Sequence, residues 1–252
     1  GGKVVKNVAG FDLPKVACGS LGTLGMIAIA TFRLHPLPEA TATAAIAGVA
    51  AAKVVELVLA VRGAQLEPSA VVALRAVRGD DRYDLGLRFE GFGKGVAQQT
   101  ARLVDVARAA AAPAEVLGDE ATFWRRHDAT RGGGALRAKL AALPTQLPAV
   151  DALVAPLLRA LRDGSFAWYA TLGVGFVSGE VGDAAAASAA LAAARAGLVA
   201  GGGSLVVEAA PVELGDVDPW GPAPGAFAVM AELKRRFDPD GRLNPGRFVG
   251  GL

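Results

Sequence analysis

Cysteine is almost absent: Cys18 is the only one in 252 residues. A lone cysteine excludes an internal disulfide and is compatible with a reducing cytoplasm. It stands beside a run of glycines, where a reactive thiol is one reading and a small buried hydrophobe the expected one. Histidine is nearly as scarce. His35 and His127 lie far apart, and no His/Cys/carboxylate spacing describes a metal site. Aromatic residues make up 6% of the chain while 52% is hydrophobic, much of it alanine, so a core of small helix faces is expected. A net charge of +2 with scattered basic residues gives no electrostatic case for nucleic acid. No apolar run reads as a membrane span: Lys53 and Glu56 interrupt the stretch 42–61, and Arg195 interrupts 184–202. The length suits one large or two small domains. The chain opens on Gly1-Gly2-Lys3, without methionine and in what reads as mid-domain, so a fragment is expected.

What the sequence does have is glycine in a telling place. Gly19-Ser20-Leu21-Gly22-Thr23-Leu24-Gly25-Met26-Ile27 sets three glycines at three-residue spacing, with a hydroxyl on each side of the middle one, before an apolar run. Glycine permits positive φ and, lacking Cβ, lets a ligand reach main-chain amides. Ser20 and Thr23 add short donors suited to the oxygens of a diphosphate or a ribityl chain. Taken alone, the segment reads equally well as a glycine-rich connection between strands.

The flanks decide between these readings. Upstream stands Lys6-Asn7-Val8-Ala9-Gly10-Phe11-Asp12-Leu13, and downstream Thr31-Phe32-Arg33-Leu34-His35-Pro36. The run from Lys6 to Pro36 resembles the second half of the FAD-binding domain of the vanillyl-alcohol-oxidase-like, PCMH-type FAD-linked oxidases. Within that family it is similar to the FAD-binding subunits of bacterial glycolate oxidases. Pro219-Trp220-Gly221-Pro222 and the run Phe237 to Phe248 resemble the family's closing segment.

In chain order, Val4, Val5 and Val8 suggest a strand entering the turn at Gly10-Phe11-Asp12, with Asp12 capping a short helical turn. Lys6 and Asn7 fit either a cofactor-facing position or a solvated strand edge. Met26 to Phe32, continuous and rich in β-branched residues, is expected to be a buried strand that ends at Pro36-Leu37-Pro38. From Thr41 to Ala210 the pattern reads β-α-β-β-α-β, a helix capped by Asp119, and then the same order again. The second unit is read with a helix over 146–162 and strands over 166–172 and 174–177. Two tandem ferredoxin-like units are the simplest interpretation, and the resemblance implies the same duplicated cap domain.

The fold class is therefore α+β. Residues 1–38 are expected to be the C-terminal part of an FAD-binding domain, 39–210 the duplicated cap, and 211–252 a helix and tail returning to the flavin domain. In that last segment Phe227, Met230, Leu233 and Phe237 form an apolar helix face, and Lys234, Arg235 and Arg236 suit the negative end of its dipole. Asn244-Pro245-Gly246 favours a type II turn.

The resemblance implies FAD as cofactor, bound by Gly10, Gly19, Ser20, Leu21, Gly22, Thr23, Leu24, Gly25, Met26, Ile27 and Asn244. Asn244 reads from the sequence as a turn former, and only the resemblance makes it a flavin or substrate contact. It also implies oxidation of glycolate, or another small 2-hydroxy acid, within a complex containing a catalytic flavoprotein subunit and an iron–sulfur subunit. The location would be cytoplasmic, with any membrane association made through those partners. A stand-alone D-lactate-like dehydrogenase and an interaction subunit with a vestigial flavin site are the alternatives. Two departures from the family pattern stand out. The His-x-x-x-Gly-Asp-Gly-Asn-x-His segment of catalytic relatives has no counterpart, and Leu21 replaces the glutamate common in the glycine loop. His127-Asp128, with Arg125, Arg126 and Arg131, is the nearest substitute and reads better as a solvated or partner-facing helix end. The catalytic residues stay unassigned.

Overall fold

The computed structural model describes residues 13–75 and 81–252, which divide into two compact units. One unit combines residues up to Pro36 with Trp220–Leu252; the other is Leu37–Pro219. Gly10, the Asp12 cap, and Lys6 and Asn7 lie outside the described residues.

The smaller unit begins with a short helix, α1 (Leu13–Ala17), followed by the glycine loop. Residues 25–38 form neither helix nor strand. Met26 is 88% exposed and Phe32 80%, which overturns the expected buried strand. An apolar, β-branched run becomes a strand only where a neighbour supplies a hydrogen-bonded ladder and a surface to cover one face. Among the described residues this run has neither.

The larger unit contains β1 (Ala40–Val49), α2 (Ala51–Gly63), β2 (Ala70–Arg75), β3 (Tyr83–Gly91), α3 (Gly93–Ala109) and β4 (Glu115–Val116). After α4 (Glu120–Gly132) the order repeats as β5 (Leu136–Ala141), α5 (Leu147–Ala160), β6 (Leu161–Tyr169), β7 (Val174–Val181), α6 (Ala184–Ala200) and β8 (Ser204–Ala209). All eight strands form one antiparallel sheet in the order β4-β1-β3-β2-β6-β7-β5-β8. Read inward from either edge, the two halves have the same winding, 4-1-3-2 and 8-5-7-6, each from a βαββαβ run. They join where β2 meets β6, with Val72 opposite Tyr169 and Leu74 opposite Ala167.

Simple periodicities produce this layer. In β3, Tyr83, Leu85, Leu87 and Phe89 point to the helix-covered face and Asp84, Gly86 and Arg88 to the other, the two-residue alternation of a pleated strand. Helix α3 buries Val96, Thr100, Leu103 and Ala107, one stripe at helical spacing. Helices α2, α3, α5 and α6 share a single core with that sheet face. In alanine-rich α6, Gly197 lets α5 come close, since a Cβ there would sit 2.4 Å from Leu153 Cδ2. Aspartates start two helices: Asp119 accepts the Ala121 amide at 3.1 Å, and Asp183 the Ala186 amide at 3.0 Å.

Helix α5 ends at Ala160, and β6 starts earlier than its apolar run suggests. Leu161 continues the helical spacing of Leu157 yet pairs with Val181, and a register shift follows between Arg162 and Ser165. Asp163, at φ 53°, and Gly164 lie in that irregularity.

Helix α4 lies on the opposite sheet face. Phe123 packs there with Val72, Leu74 and Ala167, and Gly86 makes room for its ring. At the junction of the halves, Asp151 of α5 accepts hydrogen bonds from Arg75 at 2.6 Å and from the Tyr83 hydroxyl at 2.5 Å. Arg75 also pairs with Asp81. Burial, with the Asp151 carboxylate alongside, holds the Tyr83 phenol far above its ordinary range.

The smaller unit closes with α7 (Phe227–Phe237) and a tail that folds back on it. Trp220 stacks edge-on against Phe248 and donates its indole N–H to the Arg247 carbonyl at 3.3 Å. Gly250, at φ 66°, lies so close to the Phe227 ring that a Cβ would fall 2.3 Å from it.

Candidate functional site

The glycine loop follows α1 through a chain of tight turns. The Cys18 amide donates to the Pro14 carbonyl at 3.0 Å, the Ser20 amide to Ala17 at 3.2 Å, and the Thr23 amide to Ser20 at 3.0 Å. Gly19 (φ 80°), Leu21 (φ 52°) and Gly22 (φ 77°) adopt the left-handed region that these turns require. Leu21 pays a strain that glycine would not. The turns leave several amides without a partner. Among the described residues, those of Gly19, Leu21, Gly22, Leu24 and Gly25 donate to no protein acceptor.

The hydroxyls behave differently from expectation. Ser20 Oγ donates to the Ala17 carbonyl and Thr23 Oγ1 to the Ser20 carbonyl, both at 2.8 Å. Each proton is therefore committed inside the loop, and the side chains brace the turns. Cys18 is exposed rather than buried. The helix before it buries no residue, and Ser20 and Thr23 occupy the loop's interior positions. Cys18 lines a cavity of about 290 Å³ with Val16, Leu24, Met230, Leu233 and Phe248.

Two residues from the C-terminal segment hold the loop from beneath. Asn244 donates its side-chain amide to the Leu21 carbonyl at 2.7 Å. The expected turn is present: Gly246 has φ 77°, and the Arg247 amide donates to the Asn244 carbonyl at 3.2 Å. Asn244 itself has φ 42°, a conformation asparagine tolerates better than most residues. Lys234, 8% exposed, donates to three acceptors: the Thr23 carbonyl at 2.8 Å, the Leu243 carbonyl at 2.8 Å and Asp238 Oδ2 at 2.6 Å. Three protons meeting three acceptors satisfy the ammonium without water. Asp238 also accepts the Arg242 and Leu243 amides at 3.0 and 2.8 Å. The Lys234 hydrogen bond first, and then the Leu243 amide, hold its carboxyl down at about 2.

Lys234, Arg235 and Arg236 do stand in the last turn of α7, where cations suit the helix dipole, but Lys234 alone of the three is buried. Only the two arginines remain at the surface, both pairing with Glu232. The signal that could have separated Lys234 is its spacing of four from Asp238, just past the end of the helix.

Gly19, Ser20, Leu21, Gly22, Thr23, Leu24, Gly25 and Asn244 thus lie in one place. Met26 and Ile27 continue into the exposed segment, and Gly10 is outside the described residues. The place suits the polar part of an extended anionic ligand. It offers free amides and open space on the Cβ side of Gly19 and Gly25.

A second cluster occupies the α4 face of the larger unit. His127 Nδ1 donates to Asp128 Oδ1 at 2.9 Å, and Nε2 shares a hydrogen bond with the Tyr169 hydroxyl at 2.5 Å. The imidazole is mostly buried, while Asp128, Arg125, Arg126 and Arg131 are exposed, so a solvated or partner-facing helix end fits the charged residues and not the ring. Rings meet edge to face from Phe123 through Trp124, His127 and Tyr169 to Phe176. Burial raises the Tyr169 phenol above its ordinary value; the Arg131 charge opposes that shift and Asp128 adds to it. Tyr169 escaped sequence reading because its partner lies 42 residues away.

Among the described residues no group of His, Cys, Asp and Glu could hold a metal ion, and no helix is long and apolar enough to cross a membrane.

No protein-family model matches the chain. Over 43 residues it is 49% identical to glycolate oxidase subunit GlcD of Bacillus subtilis (strain 168), a match covering 17% of this chain and 9% of that protein. Among solved structures, alkyldihydroxyacetonephosphate synthase aligns with a TM-score of 0.62 at 16% identity, over 97% of this chain and 52% of that one. The p-cresol methylhydroxylase structure with substrate bound aligns at 0.58 and 16% identity, over 86% and 54%. The chain therefore shares an α+β fold with these proteins and spans about half the length of the structures it matches.

Proposed function

We propose that this chain, folded like the PCMH-type proteins, is the part of an FAD-dependent oxidoreductase that carries the glycine loop of the flavin site. The observation that carries the reading is the set of amides at Gly19, Leu21, Gly22, Leu24 and Gly25 that meet no protein acceptor among the described residues, in a loop held by Asn244 and Lys234. The local identity with a glycolate oxidase subunit supports a 2-hydroxy acid such as glycolate as the substrate. The partners in this reading, a catalytic flavoprotein subunit and an iron–sulfur subunit, come from the family resemblance of the sequence alone.

When bound, FAD supplies a two-electron acceptor for oxidation of a CH–OH group. The chain's own residues bind and orient. Backbone amides of the loop would hold the polar part of the dinucleotide. The Ser20 and Thr23 hydroxyls fix the turns, so the amides are aimed before a ligand arrives and binding costs less loop entropy. Lys234 offsets the charge of Asp238 and ties the Thr23 carbonyl to the C-terminal segment.

The test is to purify the chain from its source organism together with whatever assembles with it, and to record visible absorbance before and after adding glycolate. Flavin bands that bleach on glycolate support the reading. Flavin bands bleached by D-lactate in the isolated chain would favour a self-sufficient dehydrogenase. Absence of flavin from every preparation would leave an interaction subunit.

A further inference from the structure

We infer that the chain pairs with a second copy of itself through the α2 side of the larger unit, around a cavity at the seam where its two halves meet. The inference is independent of the flavin reading and rests on this unit alone.

The seam has two ends, and the duplicated fold closes only one. The first and fourth residues of α2, Ala51 and Val54, are buried, as are the first and fourth of α5, Leu147 and Val150. The fifth residue of α5 is Asp151, which holds Tyr83 and Arg75, the last residue of β2. The fifth residue of α2 is Val55. At the opposite end of β2, near Val71, it lines an open cavity of about 810 Å³.

Helix α2 is apolar on two sides. Ala51, Val54, Leu57 and Val61 pack into the core. Val55, Val58 and Leu59 form a second stripe toward the cavity, where a surface helix ordinarily turns polar groups to water. Leucines gather at the opening: Leu59 and Leu143 line it at 53% and 64% exposure, and Leu172, next to the lining Thr171, is 68% exposed. Large apolar side chains clustered at one opening mark an interaction surface, unlike leucines scattered singly.

The charges select the occupant. Arg62 and Glu67 line the same cavity and are both exposed. Their side chains form no ion pair or hydrogen bond, with each other or with any other group, among the described residues. An amphiphile with a charged head would be attracted by one and repelled by the other. A two-fold pair uses both, because the patch meets itself with its ends exchanged. Arg62 of each copy then reaches the partner's Glu67, and the leucines of each copy cover the other's cavity, removing apolar surface from water on both sides.

Sedimentation equilibrium of the chain from about 1 to 100 μM reads the association directly. The wild type is expected to form a dimer that dissociates on dilution, and more readily at high salt. R62E and E67R each set like charges against one another twice across the axis, and each is expected to weaken the dimer at least about tenfold. R62E/E67R, with both charges reversed, should restore it. A copy carrying R62E has only negative charges at the two positions and a copy carrying E67R only positive ones. Their equimolar mixture is therefore expected to dimerise at concentrations where neither variant does alone. L143S removes apolar contact and no charge, so it should weaken the dimer while leaving its salt dependence unchanged.

A wild type that stays monomeric throughout the range overturns the pairing. So does a dimer indifferent to R62E and E67R, the result expected if copies associate through the exposed run 26–37 instead. A mixture of the two variants that stays monomeric overturns the two-fold arrangement. An apolar small molecule recovered by solvent extraction from a monomeric chain gives the cavity to a ligand and overturns the inference as well.

Discussion

The side-chain amide of Asn244 donates to the carbonyl of Leu21 at 2.7 Å, and the Cβ that Gly22 lacks would fall 2.7 Å from that same amide nitrogen. The loop's middle glycine and the tail's asparagine are therefore fitted to each other. Glycine 22 is required twice, once for its φ of 77° and once for the room it gives Asn244.

A double-mutant cycle separates these requirements. G22A meets both the left-handed backbone cost of roughly 1–2 kcal/mol and the collision with Asn244. In an N244A background only the backbone cost remains. The two substitutions should be less damaging together than the sum of each alone, by at least about 0.5 kcal/mol in denaturant unfolding.

Lys234 binds the loop and the tail through one ammonium group. K234M removes three charge-assisted bonds and leaves the Thr23 and Leu243 carbonyls without their donor. Hydrogen exchange at the Arg242 and Leu243 amides, which donate to Asp238, should accelerate by at least about tenfold. Exchange in α3 and α6 should be unchanged.

Acid reads the same staple. The Asp238 carboxyl is held at about 2 in the folded chain against 3.8 for the free group. A depressed carboxylate contributes stability that is complete above the free value and disappears as the pH falls through the folded one. The protection of the Leu243 amide that is lost in D238N should therefore be constant above about pH 4. It should shrink toward zero near pH 2.

In the larger unit the joint between the halves depends on Asp151. D151A leaves Arg75 with Asp81 alone and strands the buried Tyr83 hydroxyl, at an expected cost of about 3–5 kcal/mol. Y83F removes one hydrogen-bonding partner while Asp151 keeps Arg75, and should cost only about 1 kcal/mol. Urea unfolding of the two variants checks both the size and the order.

The sheet and its helices were legible because their signals are local. Alternation in β3 and the stripe in α3 each lie within one element. What failed needed partners the sequence does not point to. Met26 to Phe32 has the composition of a strand, but composition does not supply a ladder. Ser20 and Thr23 have the chemistry of ligand donors, whereas the turn geometry consumes their protons first. Lys234 looked like its neighbours Arg235 and Arg236, and only the fold brings the Thr23 and Leu243 carbonyls to it. The position of Asn244 beside the loop came from family resemblance, since 223 residues separate it from Leu21.

In the proposed flavin site the amides of Gly19, Leu21, Gly22, Leu24 and Gly25 contact the nucleotide. Hydrogen exchange of the peptide spanning 19–25, measured on the chain and its natural assembly with and without saturating FAD, tests this most directly. Protection is expected at Gly19, Leu21, Gly22, Leu24 and Gly25, with Asn244 variants losing it. FAD that binds and protects other segments, while this peptide exchanges as before, would contradict the claim.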